Sequence, residues 1–139
     1  MDDNRMIFIT SGDLERLLRL LEQQKGSPRN AEMNAALEEE LSRAQVVDST
    51  AIPPDVVTMN SDVQFEDVET GERFDARLVY PPQADVDRGR ISVLAPVGSA
   101  LLGLSVGQSI RWPLPRGGTR HLRVDAVTYQ PEAAGDTNL

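Results

Sequence analysis

The hydrophobic positions of this chain follow two rhythms, and the rhythm changes near Ile52-Pro53-Pro54. Before that point the apolar spacing is helical: Leu14, Leu17, Leu18 and Leu21 stand at i, i+3, i+4 and i+7, and Met33, Leu37, Leu41 and Ala44 form a second narrow stripe. Thr10 to Asp13 has the Ser/Thr-x-x-Asp/Glu form of a helix start, in which the hydroxyl accepts an otherwise orphaned first-turn N–H. Gly26 suits a helix end, and Ser27-Pro28 or Asn30 suits a second start. The two stripes can face each other only if the chain doubles back. The pattern therefore predicts a short antiparallel helical hairpin over residues 1–51, with its tip at Lys25 to Asn30. With at most about 15 residues per helix and ~1.5 Å of rise per residue, the arm is about 20 Å long.

After Pro54 the spacing mostly alternates. Val63 and Phe65 are interleaved with Gln64 and Glu66, then a turn at Glu69-Thr70-Gly71 leads to Phe74, Ala76, Leu78 and Tyr80, interleaved with Arg73, Asp75 and Arg77. This period of two predicts a β-hairpin, ended by Pro81-Pro82. A polar loop from Asp85 to Gly89 precedes a strand around Ile91 to Leu94, and Pro96 fits the first turn of a short helix stopped by Gly103. Gly107 marks a turn, strands follow around Ile110 to Trp112 and Leu122 to Thr128, and Gln130 to Leu139 reads as a polar tail. The predicted fold class is α+β: a helical-hairpin arm (1–51) followed by a mainly antiparallel five-strand sheet unit with one short helix (52–139).

Charge and composition narrow the function. The formal net charge is -8, spread as 10 acidic against 6 basic side chains in residues 1–50 and 12 against 8 in residues 51–139. Such a chain gains little from releasing nucleic-acid counterions, so autonomous nucleic-acid binding is disfavoured, and a basic surface on a protein partner is the better match. The chain has no Cys, which removes disulfides, thiol nucleophiles and thiolate metal sites together. The acidic start MDDNRMIFIT lacks the basic region and long apolar run of a signal peptide, and no stretch approaches the roughly 20 apolar residues that span a bilayer. The expected location is the cytoplasm, with no membrane association.

Candidate chemistry is sparse. His121 is the only histidine and has no second His or Cys with which to complete a transition-metal site. Ser99 and Ser105 lack the Gly-x-Ser-x-Gly frame of a strained nucleophile, and Gly103 with Gly107 lacks the Lys and spacing of a phosphate loop. The run Glu38-Glu39-Glu40 reads as a solvated helix face. No catalytic residue, cofactor site or metal site is expected. The best recognition candidate is the segment of residues 95–104, comprising Ala95, Pro96, Val97, Leu101, Leu102 and Leu104. Three leucines around a one- to two-turn helix and a glycine turn are not expected all to face one core, which would leave apolar surface for a partner.

Residues 90–107, RISVLAPVGSALLGLSVG, resemble the C-terminal domain of the Gre transcript-cleavage factors, and the likeness extends through Thr70-Gly71-Glu72, Ala84-Asp85 and Gly117-Gly118-Thr119. Within that superfamily DVVTMNS (residues 55–61), LVYP (residues 78–81) and YQPEAAGD (residues 129–136) resemble the Rnk family, named for regulation of nucleoside diphosphate kinase. The resemblance implies an FKBP-like sheet unit behind a short arm. It also implies docking of that unit near the secondary channel of RNA polymerase, in competition with Gre-type factors, and a link to nucleoside diphosphate kinase either by direct binding or indirectly through transcription.

Gre factors resemble long arms with acidic tips whose carboxylates help to hold a catalytic magnesium. Here the tip reads KGSPRN, and Glu22 and Glu32 flank it instead of crowning it. A non-catalytic regulator is therefore expected; the alternatives are a cleavage and elongation factor of the Gre kind or an FKBP-like prolyl isomerase. Lys25 and Arg29 are possible tip contacts to acidic channel walls.

Overall fold

The computed structural model describes residues 7–23, 31–113 and 118–135. The chain runs β1 (Phe8–Thr10), α1 (Ser11–Gln23), α2 (Ala31–Arg43), β2 (Gln45–Val47), β3 (Asp62–Asp67), β4 (Arg73–Val79), β5 (Arg90–Ser92), α3 (Pro96–Leu101), β6 (Ser109–Pro113), β7 (Thr119–Tyr129) and α4 (Pro131–Ala134). It is a mixed α+β fold.

The predicted start of α1 is made as the sequence indicates: the Asp13 N–H donates to Thr10 Oγ1 at 3.0 Å. Leu17 and Leu21 are buried and Leu14 packs at the edge of the core, whereas Leu18 is 47% exposed. One turn-step of 100° carries Leu18 off the inward face, so the buried stripe is narrower than four leucines. On α2, Leu37 and Leu41 are buried. The strands flanking the helices pair in parallel, Phe8 with Gln45 through Thr10 with Val47, so the chain returns from α2 to the strand it left before α1. This small second sheet was absent from the sequence pattern, because three-residue strands are too short to show a period. The residues expected to form the tip, Gly26, Lys25 and Arg29 among them, lie outside the described residues.

The main sheet has the order β5-β4-β3-β7-β6. Its neighbours are antiparallel except β4 and β5, which run parallel. Alternation sets its faces: Val63, Phe65, Ala76 and Leu78 turn inward while Gln64 and Asp75 are exposed. Phe65 lies opposite Phe74, and their rings stack with centroids 5.2 Å apart. The outer face is a mosaic of ion pairs. Arg77 holds Asp62 through two nitrogens, at 2.8 and 3.0 Å, and Arg123 bridges Glu66 and Asp125.

Among the described residues the apolar core is continuous. Leu17, Leu21, Leu37 and Leu41 from the helix pair join Met59, Phe65, Leu78, Leu101, Leu104 and Leu122 in a single cluster. Each fully buried leucine contributes roughly 1.5–3 kcal/mol against exposure, so the helix pair is seated on the sheet unit by its own apolar face. The expected boundary at residues 51/52 falls in the connection between β2 and β3, and the core runs across it. Among the described residues, no helix is long and apolar enough to cross a membrane.

Candidate docking segment and the junction behind it

Residues 95–104 are held rigidly. Ala95 is the N-cap of α3 in extended conformation, and Pro96 is the first helical residue, where its missing N–H costs nothing. Gly98 lies against the end of β5: a Cβ there would stand 2.1 Å from the Ser92 carbonyl oxygen. The buried Ser99 hydroxyl donates to the Val93 carbonyl at 2.6 Å, and the Leu94 N–H donates to Ser92 Oγ at 3.0 Å. Ser99 is thus a structural strut within α3.

The expectation that the three leucines cannot share one core is corrected. Leu101, Leu102 and Leu104 are 2%, 6% and 0% exposed. Two features make this possible. Gly103 adopts a left-handed φ of 84°, which folds Leu104 back beneath the helix, and α2 lies against α3, so the segment is enclosed from more than one side. Of the predicted docking side chains, Ala95 and Val97 remain half-buried at the surface. The nearby Val106, just past the turn, is 40% exposed.

Gly103 also ties the helix pair to the sheet. A Cβ at this position would meet Ile7 Cβ at 2.9 Å and the Phe8 carbonyl oxygen at 3.1 Å. Its carbonyl accepts the Phe8 N–H at 3.2 Å, its N–H donates to the Val57 carbonyl at 2.9 Å, and the Val57 N–H donates to the Leu104 carbonyl at 2.8 Å. The segment expected to meet a partner is therefore also the seam between the two halves.

A second seam lies at the first turn of α1. Asp13 is only 7% exposed, and its Oδ2 accepts the Met59 N–H at 3.2 Å. Met59 belongs to a tight turn in which the Thr58 N–H donates to Ser61 Oγ at 2.9 Å and Asn60 takes a left-handed φ of 67°. Thr58 Oγ1 donates to Glu132 Oε1 at 2.8 Å, which anchors α4 to that turn. Gln130, buried beside it, donates to the Pro53 and Val56 carbonyls, both at 2.8 Å, and accepts the Ala133 N–H. The start of the expected polar tail is thus a packed turn: Gln130 and Pro131 are buried, and the Gln130 amide satisfies the Val56 carbonyl and shares the Pro53 carbonyl with the Val56 N–H.

The electrostatics of this junction are set by burial. Desolvation, opposed by the Met59 hydrogen bond and reinforced by the charge of Glu132, pushes the Asp13 carboxyl up to about 6, while Arg16 and Thr10 pull it down. The Tyr80 hydroxyl, also buried, is pushed above its ordinary value by desolvation first and by the charge of Asp13 second. A cavity of about 220 Å³ opens here, lined by Thr10, Gly12, Asp13, Arg16, Asn60 and Glu132 among others. The sequence reading missed Asp13 as more than a helix start, although its register carried the signal: residues 13, 17 and 21 stand at i, i+4 and i+8, which places this carboxylate on the buried leucine stripe.

Elsewhere the structure offers little chemistry. Among the described residues no three His, Asp or Glu side chains are grouped to hold a metal ion. His121 sits on β7 opposite Arg111 of β6. Glu38 and Glu39 are exposed, and Glu40 pairs with Arg43 at 2.6 Å.

Three segments that set the sequence apart, residues 55–61, 78–81 and 129–136, thus each send one residue to Asp13, namely Met59, Tyr80 and Glu132, while residues 90–107 build the α3 seam. The profile of the family "Transcription elongation factor, GreA/GreB, C-term" matches residues 52–129, and that of "Rnk N-terminus" matches residues 5–47. The chain belongs to the GreA/GreB family, in its Rnk branch. It is 48% identical over 132 residues to the "Regulator of nucleoside diphosphate kinase" of Escherichia coli strain K12, covering 94% of both chains. It is 37% identical over 100 residues to "Transcription elongation factor GreA" of Solidesulfovibrio magneticus, covering 72% of this chain and 61% of that one. Among solved structures, "Prokaryotic transcription elongation factor GreA/GreB from Nitrosomonas europaea" superposes with a TM-score of 0.70 at 48% identity, covering 91% of this chain and all of the other. The Rnk likeness runs nearly end to end, whereas the GreA likeness stops short of the whole GreA chain. This makes the protein a regulator of the Gre kind with a Rnk-type helix pair, and the relatives named here are regulators or elongation factors.

Proposed function

We propose that this protein is a non-catalytic transcription regulator that binds RNA polymerase near the secondary channel and competes there with Gre-type factors. Residues 52–139 form its docking unit, with an FKBP-like sheet, and residues 1–51 form a short antiparallel arm. The observation that carries the reading is the α3 segment: a surface presented by Ala95 and Val97 on a helix immobilised by Gly98, Ser99 and the buried Leu101, Leu102 and Leu104. A preorganised contact loses little ordering entropy on binding. The buried leucines support the docking surface from beneath, and Pro96 sets the entry of the helix.

The arm explains why the function is regulatory. Each helix has 13 residues, about 20 Å at ~1.5 Å per residue, which is short for delivering carboxylates deep into a channel. The tip sequence KGSPRN offers Lys25 and Arg29 in place of acidic residues. The net charge of -8 fits a basic protein surface better than nucleic acid. The protein acts in the cytoplasm, and its effect on nucleoside diphosphate kinase runs through transcription. Measuring kinase transcript and kinase activity separately, with and without this chain, tests that last point: a change in activity at constant transcript would exclude the transcriptional route.

The test of the main reading is a transcription assay with stalled elongation complexes. The expected result is that the chain stimulates no transcript cleavage by itself and suppresses cleavage by an added Gre factor in proportion to its concentration. Stimulation by the chain alone would overturn the non-catalytic assignment.

A further inference from the structure

The Asp13 junction does more than hold two parts together. One buried carboxylate, Asp13, comes from the first turn of α1, and a half-buried one, Glu132, comes from α4 and lines the same cavity. The groups facing Asp13 are Arg16 on its own helix, the Tyr80 hydroxyl beyond the end of β4, the Met59 N–H and Glu132. The hydroxyl of Tyr80 is buried and makes no hydrogen bond of regular geometry. Two carboxylates and one guanidinium leave the site with one unneutralised negative charge at neutral pH, in surroundings that solvate it poorly. The elements they join, α1, the 57–61 turn and α4, are the points at which the helix pair meets the sheet unit from below.

We propose that Asp13 is a proton-operated latch between the helix pair and the sheet: with a proton on the carboxyl the first turn of α1 is held down on the Met59 turn, and with the carboxylate bare the seam opens more often. Protonation removes the repulsion from Glu132 and supplies an O–H that can donate to Glu132 or to the Tyr80 oxygen. Ionisation removes that donor and restores the repulsion. The apolar core beneath, with Leu17 and Leu37 fully buried, keeps the helix pair attached in both states, so the latch changes how often the seam opens and leaves the fold itself in place. An opened seam frees β1 from Gly103 and so loosens the exit of α3. The latch depends only on the chain's own junction and stands whether or not the protein binds polymerase.

Site-resolved amide hydrogen exchange on the full chain at pH 5 and pH 7.5, corrected for intrinsic rates, tests this. An opened-state carboxyl at its ordinary value and a closed-state one near 6 predict that protection of the Met59 amide and the α1 amides falls on the order of tenfold relative to β3 and β7 as the pH rises. In Asp13→Asn, whose amide oxygen can still accept the Met59 N–H, the fall should vanish. In Glu132→Gln it should shrink. A wild-type protein in which α1 and the sheet change in parallel overturns the latch, as does an Asp13→Asn protein that keeps the full fall. Should Asp13→Asn fail to fold, an unchanged fall in Glu132→Gln overturns it equally.

Discussion

The Met59 backbone N–H donates to Asp13 Oδ2 at 3.2 Å, which fastens the first turn of α1 to the loop entering the main sheet. The carboxylate that receives this bond is buried and raised to about 6 from 3.8. A folded-state value above the unfolded one means that the folded protein binds the proton more tightly. Stability from this group is therefore fully present below about 3.8 and is lost as the pH rises through about 6.

Asp13→Asn keeps the acceptor and removes the charge, so it should stabilise the protein at pH 8 and hardly at all near pH 4. The upper bound is about 3 kcal/mol, two pKa units and a little more at 1.36 kcal/mol each. Urea denaturation of both proteins at the two pH values measures it. Equal stability differences at pH 4 and pH 8 would contradict the assignment.

Gly98→Ala should be poorly tolerated despite the helix-favouring residue it introduces. The new Cβ would lie 2.1 Å from the Ser92 carbonyl oxygen and 2.9 Å from its carbon, both backbone atoms that a rotamer change cannot move. Overpacking of this kind typically costs about 1–3 kcal/mol and occasionally more. Thermal melting should show a drop of several degrees or more.

Leu101→Ala and Ala95→Glu should separate folding from docking. Leu101 is 2% exposed within the core, so truncation should cost about 2–5 kcal/mol in a denaturation experiment. Ala95 is the half-buried N-cap of α3 with no side-chain cap of its own, so Glu there should leave stability within about 0.5 kcal/mol. The same change should weaken polymerase binding at least about tenfold, a loss of about 1.4 kcal/mol in binding free energy.

Most of the main sheet was legible in the sequence because β3, β4 and β7 are long enough to alternate. Val63 and Phe65 and the run from Phe74 to Leu78 fall on the predicted strands, with the turn at residues 69–71 between them. The helix start at Thr10 was equally plain, since a cap is a local hydrogen bond between near neighbours. What the sequence did not reveal was tertiary. The burial of Leu101, Leu102 and Leu104 depends on α2, far away in the chain, covering α3. The packed turn after Tyr129 depends on Gln130 reaching Pro53 and Val56. Asp13 looked like an ordinary first-turn acid, and only its register with Leu17 and Leu21 hinted that it points inward.

Gln130→Ala should expose the importance of that packed turn. It strips hydrogen bonds from two carbonyls of the β2–β3 connection and from the Ala133 N–H. Leaving buried polar groups unsatisfied costs about 1–3 kcal/mol each, less whatever water recovers. A loss of roughly 2–4 kcal/mol in chemical denaturation is expected, accompanied by faster exchange of the Val57 and Met59 amides.

Competition for core RNA polymerase decides whether this chain docks where Gre factors dock. A labelled Gre factor is bound to the enzyme and this chain is titrated against it, with fluorescence anisotropy as the readout. Complete displacement by the wild-type chain is expected, with the curve shifted at least about tenfold to higher concentration for Ala95→Glu. A wild-type chain that leaves the Gre factor bound at saturating concentration would contradict it.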